Sequence, residues 1–429
     1  MNSPPCKLNP TTEGIRMYLS THDRHGCCGC GGCQQICPTH CISMTLLDDG
    51  FFYPVVDEER CVLCDKCVKV CPIHQFKNPG EEKQAHHCYF GWHRDEGIRM
   101  KSTSGGTFSA IAELVLKNSN SNVYGALYDD DWSIRHRGIS TLEGLEQLRQ
   151  SKYIQSDIGD CYSEIRDKLN RDEHVLFCGT PCQVDGLRQF LGKEYERLLL
   201  VDFVCHGVTS PVIFKKYIES LEQKEGARVT RVRFRDKVTK GNVSSIGYTT
   251  IVFENRKTRS SECNLYLRAY MNGLMQRLSC ERCPYASRYR WSDVTVGDFW
   301  GIEEKLPQLR DEFHRGISLI LSNTEKGRHM CEQLTDNMCI VETEVSYAFN
   351  GRNVQLERPV EANEKKQQLY KDVKEIGVQL ALAKGLGLRY LILMYCLWCI
   401  SRVKASLPKR VYGWIVFLKR WLSKSNNSG

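Results

Sequence analysis

Two runs of cysteines near the start of the chain have residue types and spacing suited to redox chemistry. Cys27, Cys30, Cys33 and Cys37 are followed by Pro38, and Cys61, Cys64, Cys67 and Cys71 by Pro72, so both read C-x2-C-x2-C-x3-C-P. Two-residue gaps let three consecutive thiolates curl around one iron-sulfur cubane. The fourth, set off by a longer gap and a proline, points to a neighbouring cubane. The spacing therefore assigns Cys27, Cys30, Cys33 and Cys71 to a first 4Fe-4S cluster, and Cys61, Cys64, Cys67 and Cys37 to a second. Gly29, Gly31 and Gly32 leave room for backbone N–H groups to approach the sulfurs and tune the potential. Structural zinc normally takes four ligands in two CxxC pairs and fits a doubled four-cysteine run poorly. Cys28 and Cys41 fall off the pattern and read as packing around the clusters.

A second set of thiols stands at strand ends further along. "HVLFCGTPCQVDGLRQFL" is an apolar strand, a glycine turn and a helix, with Thr180 as N-cap, Pro181 at N1 and Val184, Leu187 and Leu191 as its apolar stripe. Cys182 thus falls in the first helical turn, where free N–H groups and the helix dipole lower a thiol's pKa. "RLLLVDFVCHGVTSP" repeats the design with Cys205, and "LSCERCPYAS" adds Cys280 and Cys283. Two plus two makes four thiolates, enough for a third 4Fe-4S cluster, with Cys178 as a competing ligand or a packing residue of its strand. Spacing alone leaves equally open that Cys182 and Cys205 are ordinary buried cysteines and Cys280/Cys283 a small zinc or redox pair.

The elements that must position these thiols follow from the pattern. From about residue 88 to 215, helix-like and strand-like runs alternate, which points to a parallel sheet built from βαβ units. Successive strands of such a sheet deliver Cys182 and Cys205 to the same carboxyl edge, where open α/β sheets bind ligands. Residues 228–300 are strand-rich, and residues 362–380 read as a charged surface helix. "FKNPGEEKQAHH" reads as a linker after the cysteine-dense region. The organisation expected is α/β and α+β multidomain. A bacterial-type two-cluster 4Fe-4S ferredoxin domain (1–78) precedes a mixed α/β body in two parts (86–220 and 221–380) and a basic amphipathic tail (384–429).

At 429 residues the chain exceeds one ordinary core. Its 23 cysteines, with no apolar signal core in "MNSPPCKLNP", point to a reducing cytoplasm and metal or redox use rather than disulfides. The net charge of +8 resides in the tail, which holds nine Lys or Arg from Lys384 onward and no acidic residue. The remainder is close to neutral, without the basic stripe of a nucleic-acid binder. In the tail, "LRYLILMYCLWCI" is too short to span a bilayer. With Trp398, Trp414 and Trp421 among Lys and Arg, it suits peripheral helices on the anionic inner face of a membrane, or docking on the body or a partner.

Taken in order, the cysteine repeat, "STSGG", "SKYIQS", "GTPCQ", "CHG" and "CxxCP…DVTVGDFWG" resemble the beta-subunit family of coenzyme F-420 hydrogenases and dehydrogenases, which includes 7-hydroxymethyl chlorophyll a reductase. The resemblance covers roughly residues 20–350. It implies an iron-sulfur flavoprotein oxidoreductase that holds FAD in the α/β body, with a third cluster on Cys182, Cys205, Cys280 and Cys283. Ser104, Gly105 and Gly106, at the start of an amphipathic helix, then suit a pyrophosphate. Lys152, Tyr153, Gln155, Ser156 and Thr180 complete the expected flavin site. "RFRDKVTKGN" places Arg235 and Lys237 on the substrate side, although Asn242 stands where relatives usually have tryptophan. His206 and Asp298 have either a site role or a packing and turn role. The expected function passes electrons from the ferredoxin-like domain through the third cluster to FAD and a reducible small molecule such as an F-420-type deazaflavin. The alternative is an electron-transfer subunit, or ferredoxin carrier, feeding a partner enzyme.

Overall fold

The computed structural model describes residues 18–77, 87–237, 248–261, 264–388 and 390–392. Most of the expected linker, Asn242, and the tryptophans of the basic tail lie outside these residues. Between the two cysteine runs, strands β1 (Ile42–Leu46) and β2 (Phe52–Val56) pair antiparallel, with Met44 opposite Pro54. Gly50 turns the chain at φ +70°, and its N–H donates to the Leu47 carbonyl at 2.9 Å. The hairpin folds the second run back on the first, so Cys33, Cys37, Cys41, Cys61, Cys67 and Cys71 pack together with Leu19, Ile42 and Val56.

The body begins with β3 (His87–His93), β4 (Ser121–Tyr128) and β5 (Ile134–Ile139). Next come β6 (His174–Gly179), β7 (Leu198–Phe203), β8 (Val229–Asp236), β9 (Tyr248–Phe253) and β10 (Thr258–Ser261). The last three strands are β11 (Val294–Asp298), β12 (Ser318–Ser322) and β13 (Met338–Thr343). One eight-stranded sheet runs β13-β3-β12-β11-β7-β6-β4-β5, and a separate antiparallel sheet runs β10-β9-β8. In the large sheet, β11, β7, β6 and β4 are mutually parallel, as alternating strands and helices require. The expectation of a parallel sheet holds for this centre only. β12, β3 and β13 continue it antiparallel on one side, and β5 on the other, because the short β4–β5 connection closes a hairpin. Strands on either side of residue 221 thus share one sheet, while β8 to β10 stand apart from it.

The sheet core is apolar on both faces. Val201, Leu319, Ile320 and Leu321 are fully buried, and each such side chain contributes about 1.5–3 kcal/mol relative to exposure. The helix Pro181–Leu191 forms as its sequence dictates. The Thr180 side chain accepts from the Gln183 N–H while the Gln183 side chain answers the Thr180 N–H, and Gly192 ends the helix in the left-handed region. Its stripe of Val184, Leu187 and Phe190 is buried against Val175, Phe177 and Leu198.

The span 362–380 differs from the expected surface helix. Two helices, Lys366–Glu375 and Val378–Leu386, flank Gly377. Leu369, Val373, Val378, Ala381 and Leu382 bury into the core that also holds Tyr217, Phe234 and Tyr266. Lys366 and Asp372 are buried with the stripe, while the other charged positions lie on the outer face and mask Leu369 and Val373.

Candidate metal centres

The fold brings the four thiols of the first predicted set to one cavity, lined among others by Cys27, Cys30, Cys33 and Cys71 together with Gly29 and Gly31. Burial pushes the Cys33 thiol well up, and the neighbouring Cys30, Cys27 and Cys71 push it further. Burial raises Cys27 and Cys71 as well, while Cys30 is lowered, chiefly by the Cys28 side chain; thiolates crowded in this way are what a cluster cation stabilises. Gly29 has φ +72°, and a Cβ there would run into the Gln155 amide and come within 3.0 Å of Arg277. Its glycine therefore admits the body to the cysteine loop, as well as leaving room around the sulfurs.

In the second set, Cys61, Cys64 and Cys67 are neighbours. Burial, followed by the effects of Cys61 and Cys64, raises Cys67 to about 11. Cys64 is exposed, as are Val62 and Leu63 beside it. The Cys37 sulfur lies 3.3 Å from that of Cys41. Burial works against the Cys37 thiolate, but hydrogen bonds from Thr39 and Cys41 lower its pKa to about 7. Cys41, read as packing, thus touches a predicted ligand directly.

The third set also meets. Cys182 follows β6 and Cys205 follows β7 at the same carboxyl edge, since Gly179 lies beside Asp202 in the parallel register. Cys280 and Cys283 arrive on the 3-10 turn Leu278–Arg282 and its C-cap. Burial raises Cys205 well above its ordinary value, with Cys280, Cys182 and Cys283 adding to it. Burial likewise takes Cys280 to about 11 and Cys283 to about 12, each with Cys182 among the causes. Cys182 moves the other way, lowered chiefly by the Cys28 side chain and also by Thr180, whose hydroxyl is 3.1 Å away. Cys178 stays in β6 and packs with the sheet core. Among the described residues, no three His, Cys, Asp or Glu side chains are gathered so tightly as to hold a metal ion.

The sequence reading missed Cys28 and Arg277 as junction residues. Cys28 is buried and packs in one cluster with Cys30, Cys182 and Cys283, where the first and third sets adjoin. Arg277 is fully buried, and its guanidinium donates to the Cys27 carbonyl (2.7 Å), Gln155 Oε1 (2.9 Å) and the Phe52 carbonyl (3.0 Å). The position of Arg277, three residues before Cys280, is the one signal that could have drawn notice.

The predicted flavin residues divide between two places. Gln155 donates to the Cys28 carbonyl at 3.0 Å, Ser156 accepts from Gln183 at 3.0 Å, and Thr180 caps its helix, so all three serve the cysteine region. Ser104 donates to the Ile317 carbonyl, and the Gly105 N–H donates to Ser318 Oγ, both at 3.0 Å. Gly106, at φ +98°, starts the helix Thr107–Leu116. The Lys152 ammonium faces the carbonyls of Leu148, Arg149 and Gln150, and burial lowers its pKa to about 7.

Beside Ser104 lies a buried polar group. Arg235 pairs with Asp298 at the end of β11, and its guanidinium stands over the Trp300 ring at 5.2 Å. The Tyr153 ring packs on Phe234 and Tyr270, and its hydroxyl bonds Arg235. The Lys237 ammonium donates to the Ser104 carbonyl at 2.7 Å, and burial lowers its pKa to about 7. Burial likewise takes His206 down to about 4, so it is neutral at physiological pH, next to Asp298 and Arg235. Asp298 is thus an ion-pair partner within a site rather than only a turn cap. Three buried polar atoms of the α/β body, Thr107 Oγ1, Tyr128 Oη and His136 Nδ1, have no hydrogen-bond partner among the described residues.

Comparison with known proteins adds two family matches. Residues 172–347 match the family model for the C terminus of the coenzyme F420 hydrogenase/dehydrogenase beta subunit. Residues 26–74 match the 4Fe-4S dicluster domain. No curated protein matches the chain. Among solved structures, the F420-reducing [NiFe] hydrogenase complex from Methanosarcina barkeri, in a xenon derivative, is similar at 16% identity and a TM-score of 0.42, over 69% of this chain and 90% of that one.

Proposed function

We propose, from the premise that this chain is an iron-sulfur redox protein of the coenzyme F420 hydrogenase/dehydrogenase beta-subunit type, that it is a flavin-dependent oxidoreductase with three 4Fe-4S sites leading to one substrate pocket. When bound, the clusters supply one-electron transfer, and FAD converts between one-electron and hydride chemistry. The observation that carries this reading is the packing of Cys28 and Cys30 from the first cysteine run against Cys182 and Cys283 of the third set.

The chain's own residues divide the work. The exposed Cys64 puts the second set where an outside donor or acceptor, protein or small molecule, reaches it first. Cys28 packs with Cys30 of the first set and Cys182 and Cys283 of the third, and this close approach favours electron passage between them. The orphaned Thr107, Tyr128 and His136 atoms fit a polar cofactor, since buried polar groups are otherwise paired. Tyr153, Arg235, Asp298 and neutral His206 then line the substrate side, where Arg235 offers a fixed cation to an anionic, reducible small molecule. The reading is one of an enzyme rather than a bare carrier because these buried polar groups serve no purpose in a ferredoxin alone.

A Cys182→Ser variant tests the ligand set. It is expected to lose the third cluster's iron while keeping the ferredoxin pair, read by iron and sulfide assay on anoxically purified protein. An unchanged iron content would show that Cys182 is not a ligand.

A further inference from the structure

We infer that Arg277 sets the potential of the first cluster and fixes that cluster's loop against the body. The inference rests on the reading that Cys27, Cys30, Cys33 and Cys71 hold a 4Fe-4S cluster.

Arg277 belongs to the third-cluster loop by its backbone and to the first-cluster loop by its side chain. Its N–H donates to the Val208 carbonyl at 2.9 Å, three residues after Cys205, and its carbonyl accepts from the Cys280 N–H at 3.0 Å. The side chain then crosses to the other domain. Nη2 lies 3.3 Å from Cys27 Sγ, Nε bonds the Cys27 carbonyl, and the guanidinium stacks over Tyr53 at 4.1 Å. Gly29 is the opening that admits it, and Gln155 holds its Nη1.

A purely structural role does not account for the charge. Arg277 is fully buried, and of the charges that act on it Cys27 comes first, ahead of Tyr53, Cys28 and Asp49. The sulfur its guanidinium donates to is that of Cys27, a ligand of the first cluster. A fixed cation donating a hydrogen bond to a ligand sulfur favours the more negative, reduced cluster, and so raises its potential. One residue thereby links the geometry of the third site to the energetics of the first.

The test is a redox titration, followed by electron paramagnetic resonance, of the full chain as wild type, Arg277→Gln and Arg277→Lys. With iron and sulfide unchanged, Arg277→Gln is expected to lower one midpoint. At the wild-type midpoint, its reduced-to-oxidised ratio should fall at least tenfold, about 59 mV for a one-electron couple. Arg277→Lys, which keeps the charge, should recover most of that loss. Unchanged midpoints in a fully loaded Arg277→Gln protein would overturn the proposal. Where Arg277→Gln fails to hold clusters, wild type grown on 15N-arginine decides instead. Electron spin-echo modulation from the label on a reduced cluster is expected, and its absence would overturn the proposal. A wild type whose iron content leaves the first site empty would remove the cluster reading itself, an outcome distinct from a loaded cluster that ignores Arg277.

Discussion

At the scale of single residues, the cysteine spacing carried most of the candidate sites, because ligand order along the chain is itself the chemistry of a cubane. What it could not carry were contacts between distant segments. Gly29 reads as a cluster glycine, but its φ of +72° and its closeness to Gln155 and Arg277 make it the joint between two parts of the molecule. Gly29→Ala is expected to cost about 1–2 kcal/mol for the left-handed backbone alone, with further loss from displacing Gln155. Thermal denaturation of the anoxic protein should show a lowered midpoint; one equal to wild type would mean that the loop and the body do not meet as described. Cys28 was invisible as a bridge for the same reason: nothing near it in sequence announces Cys182, more than a hundred residues away.

Among elements, the strand-turn-helix units were legible because each is local. Thr180, Pro181 and the Val184–Leu187 stripe state a capped helix, and the structure builds it. The Thr180 hydroxyl also meets the Cys182 sulfur, so the cap and the ligand position are one device. Thr180→Ala should destabilise the protein by about 1 kcal/mol, while Thr180→Ser stays near wild type; equal losses in chemical denaturation would count against the cap. Sheet order was not legible. β3, β12 and β13 lie antiparallel beside β11, and only long-range pairing decides that. The buried stripe of Lys366–Glu375 was hidden by its charged face, which drew the reading toward a surface helix.

For the whole molecule, the proposed electron path joins the cysteine-rich region to the large sheet. The second set exposes Cys64, the first and third sets adjoin at Cys28, and the ion pair Arg235–Asp298 acts on His206, the neighbour of Cys205. Among the described residues, no helix is long and apolar enough to cross a membrane. The expected contact of the basic tail with an anionic membrane surface falls mostly on residues outside those described.

The central claim, three clusters serving a flavin, is tested most directly by counting. Full-length protein purified without oxygen should contain about twelve irons, as much acid-labile sulfide and one FAD per chain, from four irons per cubane. About eight irons with no flavin would contradict the account and leave a two-cluster electron carrier.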